Sequence, residues 1–102
     1  MEMNKNTNGT YTISLKAFKD IADISLASVK NIYPAKKEDY ISAKFDNNDE
    51  LTIGISVRLK QGIDIVKTCN NLQDVIYDNL SLMTGVECKN INIDIQGFVK
   101  TA

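Results

Sequence analysis

Between Leu51 and Lys60 the chain reads LTIGISVRLK, with Leu51, Ile53, Ile55, Val57 and Leu59 at odd positions and Thr52, Gly54, Ser56, Arg58 and Lys60 at even ones. Successive side chains of a β-strand point to opposite faces, so this stretch predicts a strand with one face given to a core and the other left polar. A slip of one residue would turn every apolar side chain outward, which specifies the pairing register strongly. Whatever packs on this strand covers one face only. Function then has to come from the polar face, a sheet edge or the loops.

The flanking segments supply partners for such a strand. Ile41, Ala43 and Phe45 alternate with Ser42, Lys44 and Asp46. Asn47, Asn48 and Asp49 follow as turn residues that tolerate positive φ, so residues 40–60 are predicted as a β-hairpin. From Leu15 to about Tyr33, apolar residues at Leu15, Phe18, Ala22, Leu26, Val29 and Ile32 or Tyr33 recur at three- and four-residue steps, the pattern of one helix face. Ser14 reads as its N-cap and Pro34 as its stop. Asp64 reads as the cap of a second helix with the stripe Ile65, Cys69, Leu72, Val75 or Ile76, Leu80 and Met83, closed by Thr84-Gly85. Ile91, Ile93 and Ile95 then alternate with Asn92, Asp94 and Gln96. Val86 and Cys88 fall on the opposite parity, which predicts a bend or bulge near Lys89 and Asn90.

With a short first strand at Gly9 to Ser14, the expected order is β-α-β-β-α-β. That order describes an α+β two-layer sandwich, a small mixed sheet with two helices on one face. The strand after the second helix should run parallel to the one before it, through a right-handed crossover. Residues 1–10, MEMNKNTNGT, read as a flexible N-terminal segment and residues 11–102 as a single domain, since 102 residues suit one core.

Chemistry is constrained mainly by what the composition lacks. With no histidine, a Ser-His or Cys-His nucleophile system is excluded, and the usual acid/base group near neutral pH is missing. Cys69 and Cys88 have no CxxC spacing and read as buried free thiols, so no metal and no cofactor is expected. Asp46, Asp49 and Glu50 read as a polar hairpin turn, because the glycine and terminal glutamate of a calcium loop are absent. Asp20 and Asp23 could orient as paired carboxylates, but Lys16 and Lys19 beside them point to ordinary helical ion pairs.

Twelve basic and thirteen acidic residues leave a formal charge of −1, which gives no general attraction to phosphate backbones or anionic lipid. The polar strand face carries Thr52, Gly54, Ser56 and Arg58 where stacking rings would be needed, so no nucleic-acid partner is expected. No apolar run is long enough for a membrane span, and a cytoplasmic location is expected. The reading is a protein that is not an enzyme. Thr52, Ser56, Arg58, Asp94 and Gln96 form its candidate interaction surface, because small and polar side chains admit close approach by a partner. The alternatives are a small-molecule-sensing regulatory domain and an RNA-binding module.

The run SVRLKQGIDIVKTCNNLQDVIYDNLSLMTGVECKNINIDIQGF resembles the C-terminal half of the alkaline shock protein family, also described as envelope stress response proteins. The family pattern there is an alternating strand, a glycine-containing turn, a helix with spaced apolar residues, a Thr-Gly stop and a V-x-V-x-V-x-G strand. Gly62, Ile65, Val75, Met83, Thr84, Gly85, Val86, Ile91, Ile93, Ile95, Gln96 and Gly97 meet it. The resemblance spans about residues 11 to 98 and is firmest from about residue 51 onward. Between the first helix and the hairpin this chain has only NIYPAKKED, where family members usually carry a longer, glycine-rich connection. The resemblance implies a non-catalytic cytoplasmic stress protein of Gram-positive-type bacteria. Its implied partners are further copies of itself and a membrane-anchored protein that holds it at the membrane, and it transfers no catalytic residue.

Overall fold

The computed structural model describes residues 13–100. The elements run α1 (Leu15–Ser28), β1 (Ile32–Pro34), β2 (Ile41–Phe45), β3 (Leu51–Lys60), α2 (Ile65–Thr84) and β4 (Asn90–Val99). The strand expected at Gly9 to Ser14 lies outside the described residues except for Ile13 and Ser14, which belong to no strand and lead straight into α1.

The alternating segment identified first in the sequence is β3, the centre of a mixed sheet. Along one side, β1 pairs antiparallel with its C-terminal part, Ile32 opposite Leu59 through Pro34 opposite Val57. On the same side β2 pairs antiparallel with the N-terminal half, Ile41 opposite Ile55 through Phe45 opposite Leu51. Ser56 marks the junction: its N–H donates to the Tyr40 carbonyl at 2.7 Å and its carbonyl accepts from the Ala35 N–H at 3.0 Å. Along the other side β4 runs parallel to β3, from Thr52 opposite Asn90 to Lys60 opposite Val99. A parallel neighbour requires a crossover rather than a hairpin, and α2 is that crossover.

Local chemistry sets the helix ends. Ser14 Oγ accepts the Ala17 N–H at 3.3 Å, and Asp64 Oδ1 accepts the Lys67 N–H at 3.1 Å, so both expected N-caps satisfy amides that the first helical turn leaves free. Gly85 closes α2 in the left-handed region at φ 75°, its N–H bonded to the Ser81 carbonyl. The end of α1 differs from the expectation that it runs to Tyr33. The helix stops at Ser28, Asn31 turns the chain at φ 70°, and Ile32 begins β1 with its side chain buried. Ile32 does face the core, as its spacing implied, but from the sheet. A single apolar position at the right interval cannot distinguish one more helical turn from the first residue of a short strand.

Both helices cover one face of the sheet. Phe18, Ala22 and Leu26 of α1 and Leu72, Ile76 and Leu80 of α2 join Leu51, Ile53, Ile55, Val57 and Leu59 of β3 in the core, all at 2% exposure or less. Each of the larger side chains contributes about 1.5–3 kcal/mol relative to an exposed position. The ends of the predicted stripes emerge from this core: Leu15, Ile65 and Met83 sit at the helix termini and are exposed.

The bulge lies at Gln96, not near Lys89 and Asn90. Val57 is opposite Ile95 and Arg58 is opposite Gly97, which leaves Gln96 as the extra residue. The parity change expected at Cys88 is absorbed before β4 begins, where the buried Cys88 Sγ donates to the Leu51 carbonyl at 3.3 Å. At Gln96 the inserted residue puts Phe98, rather than Gly97, in register with the core residue Leu59.

Candidate functional site

The polar sheet face and the β4 edge carry the five residues expected to form an interaction surface. On the polar face the cross-strand rows are Lys44–Thr52–Asn90, Ser42–Gly54–Asn92 and Tyr33–Arg58–Gly97, with Ser56 beside Asp94 between the last two. At Gly54 an added Cβ would come within 2.7 Å of Ser42 Oγ.

The five residues expected to form an interaction surface divide into two groups. Thr52 and Arg58 are half-buried, and Ser56 is buried at the point where the Ala35–Tyr40 connection bonds to its backbone. Arg58 Nε donates to the Pro34 carbonyl at 2.9 Å, which ties β1 to the sheet. Asp94 and Gln96 are exposed on β4, joined by a hydrogen bond from Gln96 Nε2 to the Asp94 carboxylate. Ser56 and Asp94 are direct neighbours across the β3–β4 ladder, whereas Thr52 lies further along it beside Asn90.

The edge at β4 follows from the hydrogen-bond directions on β3. Ser56 and Lys60 turn their backbone groups toward the β1–β2 side, so the odd residues of β3 turn theirs toward β4. A parallel ladder of that phase engages the N–H and C=O groups of Asn90, Asn92 and Asp94. Those of Ile91, Ile93 and Ile95 therefore point away from the sheet, and no strand of the described residues lies beyond β4. The Ile91 carbonyl accepts from Gln73 Nε2 of α2 at 3.0 Å. Periodicity could not single out Gln73, because nothing local shows which carbonyl its amide reaches.

Several ionisable groups serve structural ends. Tyr40 OH donates to Asp23 Oδ1 at 2.6 Å, anchoring the start of the hairpin to α1. That bond, with some burial and the Asp23 charge, raises the Tyr40 pKa above its ordinary value. Lys16 pairs with Asp20 at 2.9 Å on the exposed side of α1, the ion pair expected from the sequence. Asp46 Oδ1 accepts the N–H groups of Asn48 and Glu50, which builds the hairpin turn, and Asp49 takes φ 58° there. Cys69 is half-buried and Cys88 buried; both thiols are free, and burial raises both pKa values.

Among the described residues no group of three or more cysteine, aspartate or glutamate side chains is placed to hold a metal ion. Every buried side-chain nitrogen and oxygen there has a hydrogen-bond partner. No helix among them is long and apolar enough to cross a membrane.

The chain matches no curated protein and no solved structure. A family model does match, over residues 3–100: the Asp23 family, of cell envelope-related function, a name that does not refer to the residue at position 23. This is the alkaline shock protein family that the β3–α2–β4 run resembles. The match takes in both helices and all four strands of the described residues, the Gly97-bearing β4 among them, and by it the chain belongs to the Asp23 family.

Proposed function

We propose that this chain is a non-catalytic interaction module of the cell envelope, acting in the cytoplasm by associating with itself or by binding a membrane-anchored protein. The family's envelope-related function supports the setting. The observation that carries the interaction role is the ten-residue β4, which forms one edge of the sheet with the backbone groups of Ile93 and Ile95 turned outward beside exposed Asp94 and Gln96. Such an edge is a template for strand addition, in which main-chain hydrogen bonds supply affinity and alternate side chains supply selectivity. The lack of histidine supports the non-catalytic part of the reading.

The test has two arms. Light scattering over a wide concentration range reports self-association, and immobilised protein challenged with detergent-solubilised membranes reports an anchored partner. The expected result is a concentration-dependent rise in mass or saturable retention of a specific integral membrane protein. A strict monomer that retains no membrane protein would remove the proposal.

A further inference from the structure

We propose that two copies of this chain pair edge to edge through β4, antiparallel about a two-fold axis at Ile93, so that one sheet continues across both. This rests on the reading that the chain associates with itself and names the surface and register that do so.

The two edges of the sheet are unequal. Along the β1–β2 side the outer row is broken, since β1 has three residues and ends at Pro34, β2 has five, and the Ala35–Tyr40 connection lies between them. β4 is continuous from Asn90 to Ile95, and its first irregularity is the bulge at Gln96. That stretch holds no proline and no bulge, and its one charged side chain, Asp94, lies on the polar face. One outward group, the Ile91 carbonyl, already accepts from Gln73, and a carbonyl has a second lone pair to offer a neighbour.

What identifies the occupant as a second copy is the side-chain order. Residues 90–96 read NINIDIQ, and about Ile93 the order of polar and apolar positions is the same in both directions. Asn90 mirrors Gln96, Ile91 mirrors Ile95, and Asn92 mirrors Asp94. With the axis at Ile93, all three outward-bonding isoleucines face isoleucines, and each Asp94 carboxylate faces an Asn92 amide that can donate to it.

Neighbouring registers lose this match. An axis at Asp94 opposes two carboxylates, an unfavourable like-charge pair, and an axis at Asn92 sets Ile95 against Lys89. Ile95, exposed to 37% on the helix side of the sheet, is covered by the second copy's Ile91 in the proposed register.

Disulfide trapping tests the register. Asn92→Cys and Asp94→Cys are introduced separately into Cys69→Ser protein, leaving the buried Cys88 in place, and the two variants are mixed under oxidised glutathione. In the proposed pairing, position 92 of one copy lies directly opposite position 94 of the other in a non-hydrogen-bonded pair. Their Cβ atoms are then about 4.5–5.5 Å apart, close to disulfide geometry. Like positions lie on a diagonal, at about 7–8 Å.

The expected result is linked dimer in the mixture and little in either variant alone. If light scattering shows a dimer but the mixture links no better than the separate variants, the β4 pairing is overturned and self-association stands. If the protein is monomeric at every concentration, both fall, and the proposed function depends on the membrane-anchored partner alone.

Discussion

Asn79 of α2 donates a hydrogen bond from Nδ2 to the hydroxyl of Ser25 on α1 at 2.8 Å, and that hydroxyl donates in turn to the Ile21 carbonyl at 2.7 Å. Ser25 is fully buried, so a polar clip sits inside an otherwise apolar contact between the two helices. It fixes how α1 and α2 sit against each other over the sheet, because a slide of either helix would break the bond from the Asn79 amide to this buried hydroxyl.

Replacing either member should lower the unfolding free energy by about 1 kcal/mol, the usual net value of such a bond. Asn79→Ala also gains helix propensity, so the single variants mix two effects. The double-mutant cycle isolates the bond: in urea unfolding, a coupling of about 0.5–1.5 kcal/mol between Ser25→Ala and Asn79→Ala is expected. Strictly additive losses would show that the two side chains do not act together.

Phe18 and Phe45 meet edge to face, with ring centroids 5.8 Å apart at 80°, yet only Phe18 is buried, at 1% exposure against 45%. Phe18→Ala should cost about 3–5 kcal/mol, since it removes a core ring and leaves a cavity. Phe45→Ala loses the ring pairing, worth about 0.5–1.5 kcal/mol, and a smaller buried area. Equal losses in chemical denaturation would mean that the rim ring contributes as much to the core as the central one does.

Two glycines differ in what a methyl group would meet, and alanine separates them. At Gly85 the backbone is at φ 75° with open space around it, so Gly85→Ala is strained by the left-handed conformation, at about 1–2 kcal/mol. At Gly54 the obstacle is the Ser42 hydroxyl, the end of a short side chain that can rotate away. Gly54→Ala should be near neutral alone and stabilising by up to about 0.5–1 kcal/mol in a Ser42→Ala background, where the strand gains over glycine and nothing obstructs the methyl. Thermal unfolding of Gly85→Ala, Gly54→Ala, Ser42→Ala and the Ser42→Ala, Gly54→Ala double variant checks the order.

The Tyr40–Asp23 bond gives a pH dependence of defined sign. The folded pKa of Tyr40 is raised, because the neutral hydroxyl donates to the Asp23 carboxylate and ionisation would lose that bond and set two negative charges together. Stability from this contact is therefore fully present below the ordinary phenol pKa and is lost as pH rises through the higher folded value. Absorbance titration should show a phenol ionising above the ordinary range, and Asp23→Asn should bring it down. A titration curve unchanged by Asp23→Asn would rule the contact out in solution.

The parts legible from sequence are those written in a few neighbouring residues. Alternation over Leu51 to Lys60 announced a strand buried on one face, and the cap chemistry of Ser14, Asp64 and Gly85 placed three helix ends as observed. The turn at Asn47 to Asp49 placed the hairpin. Alternation also assigned Thr52, Ser56, Arg58 and Asp94 to the face away from the helices. It did not show that Ser56 is buried where the Ala35–Tyr40 connection bonds to its backbone, or that Arg58 is tied to Pro34.

By itself, then, the amino-acid order determined the sheet's central strand, both helices and the side of each that faces inward, because periodicity and caps act between residues a few positions apart. Tertiary structure alone decided that Ile32 enters a strand, that Gln96 bulges, that Gln73 reaches Ile91 and that β4 is an edge of the sheet among the described residues. Those outcomes depend on which backbone groups find partners across space. Separations of 18 residues between Gln73 and Ile91, or 54 between Ser25 and Asn79, leave no local pattern from which the pairing could be read.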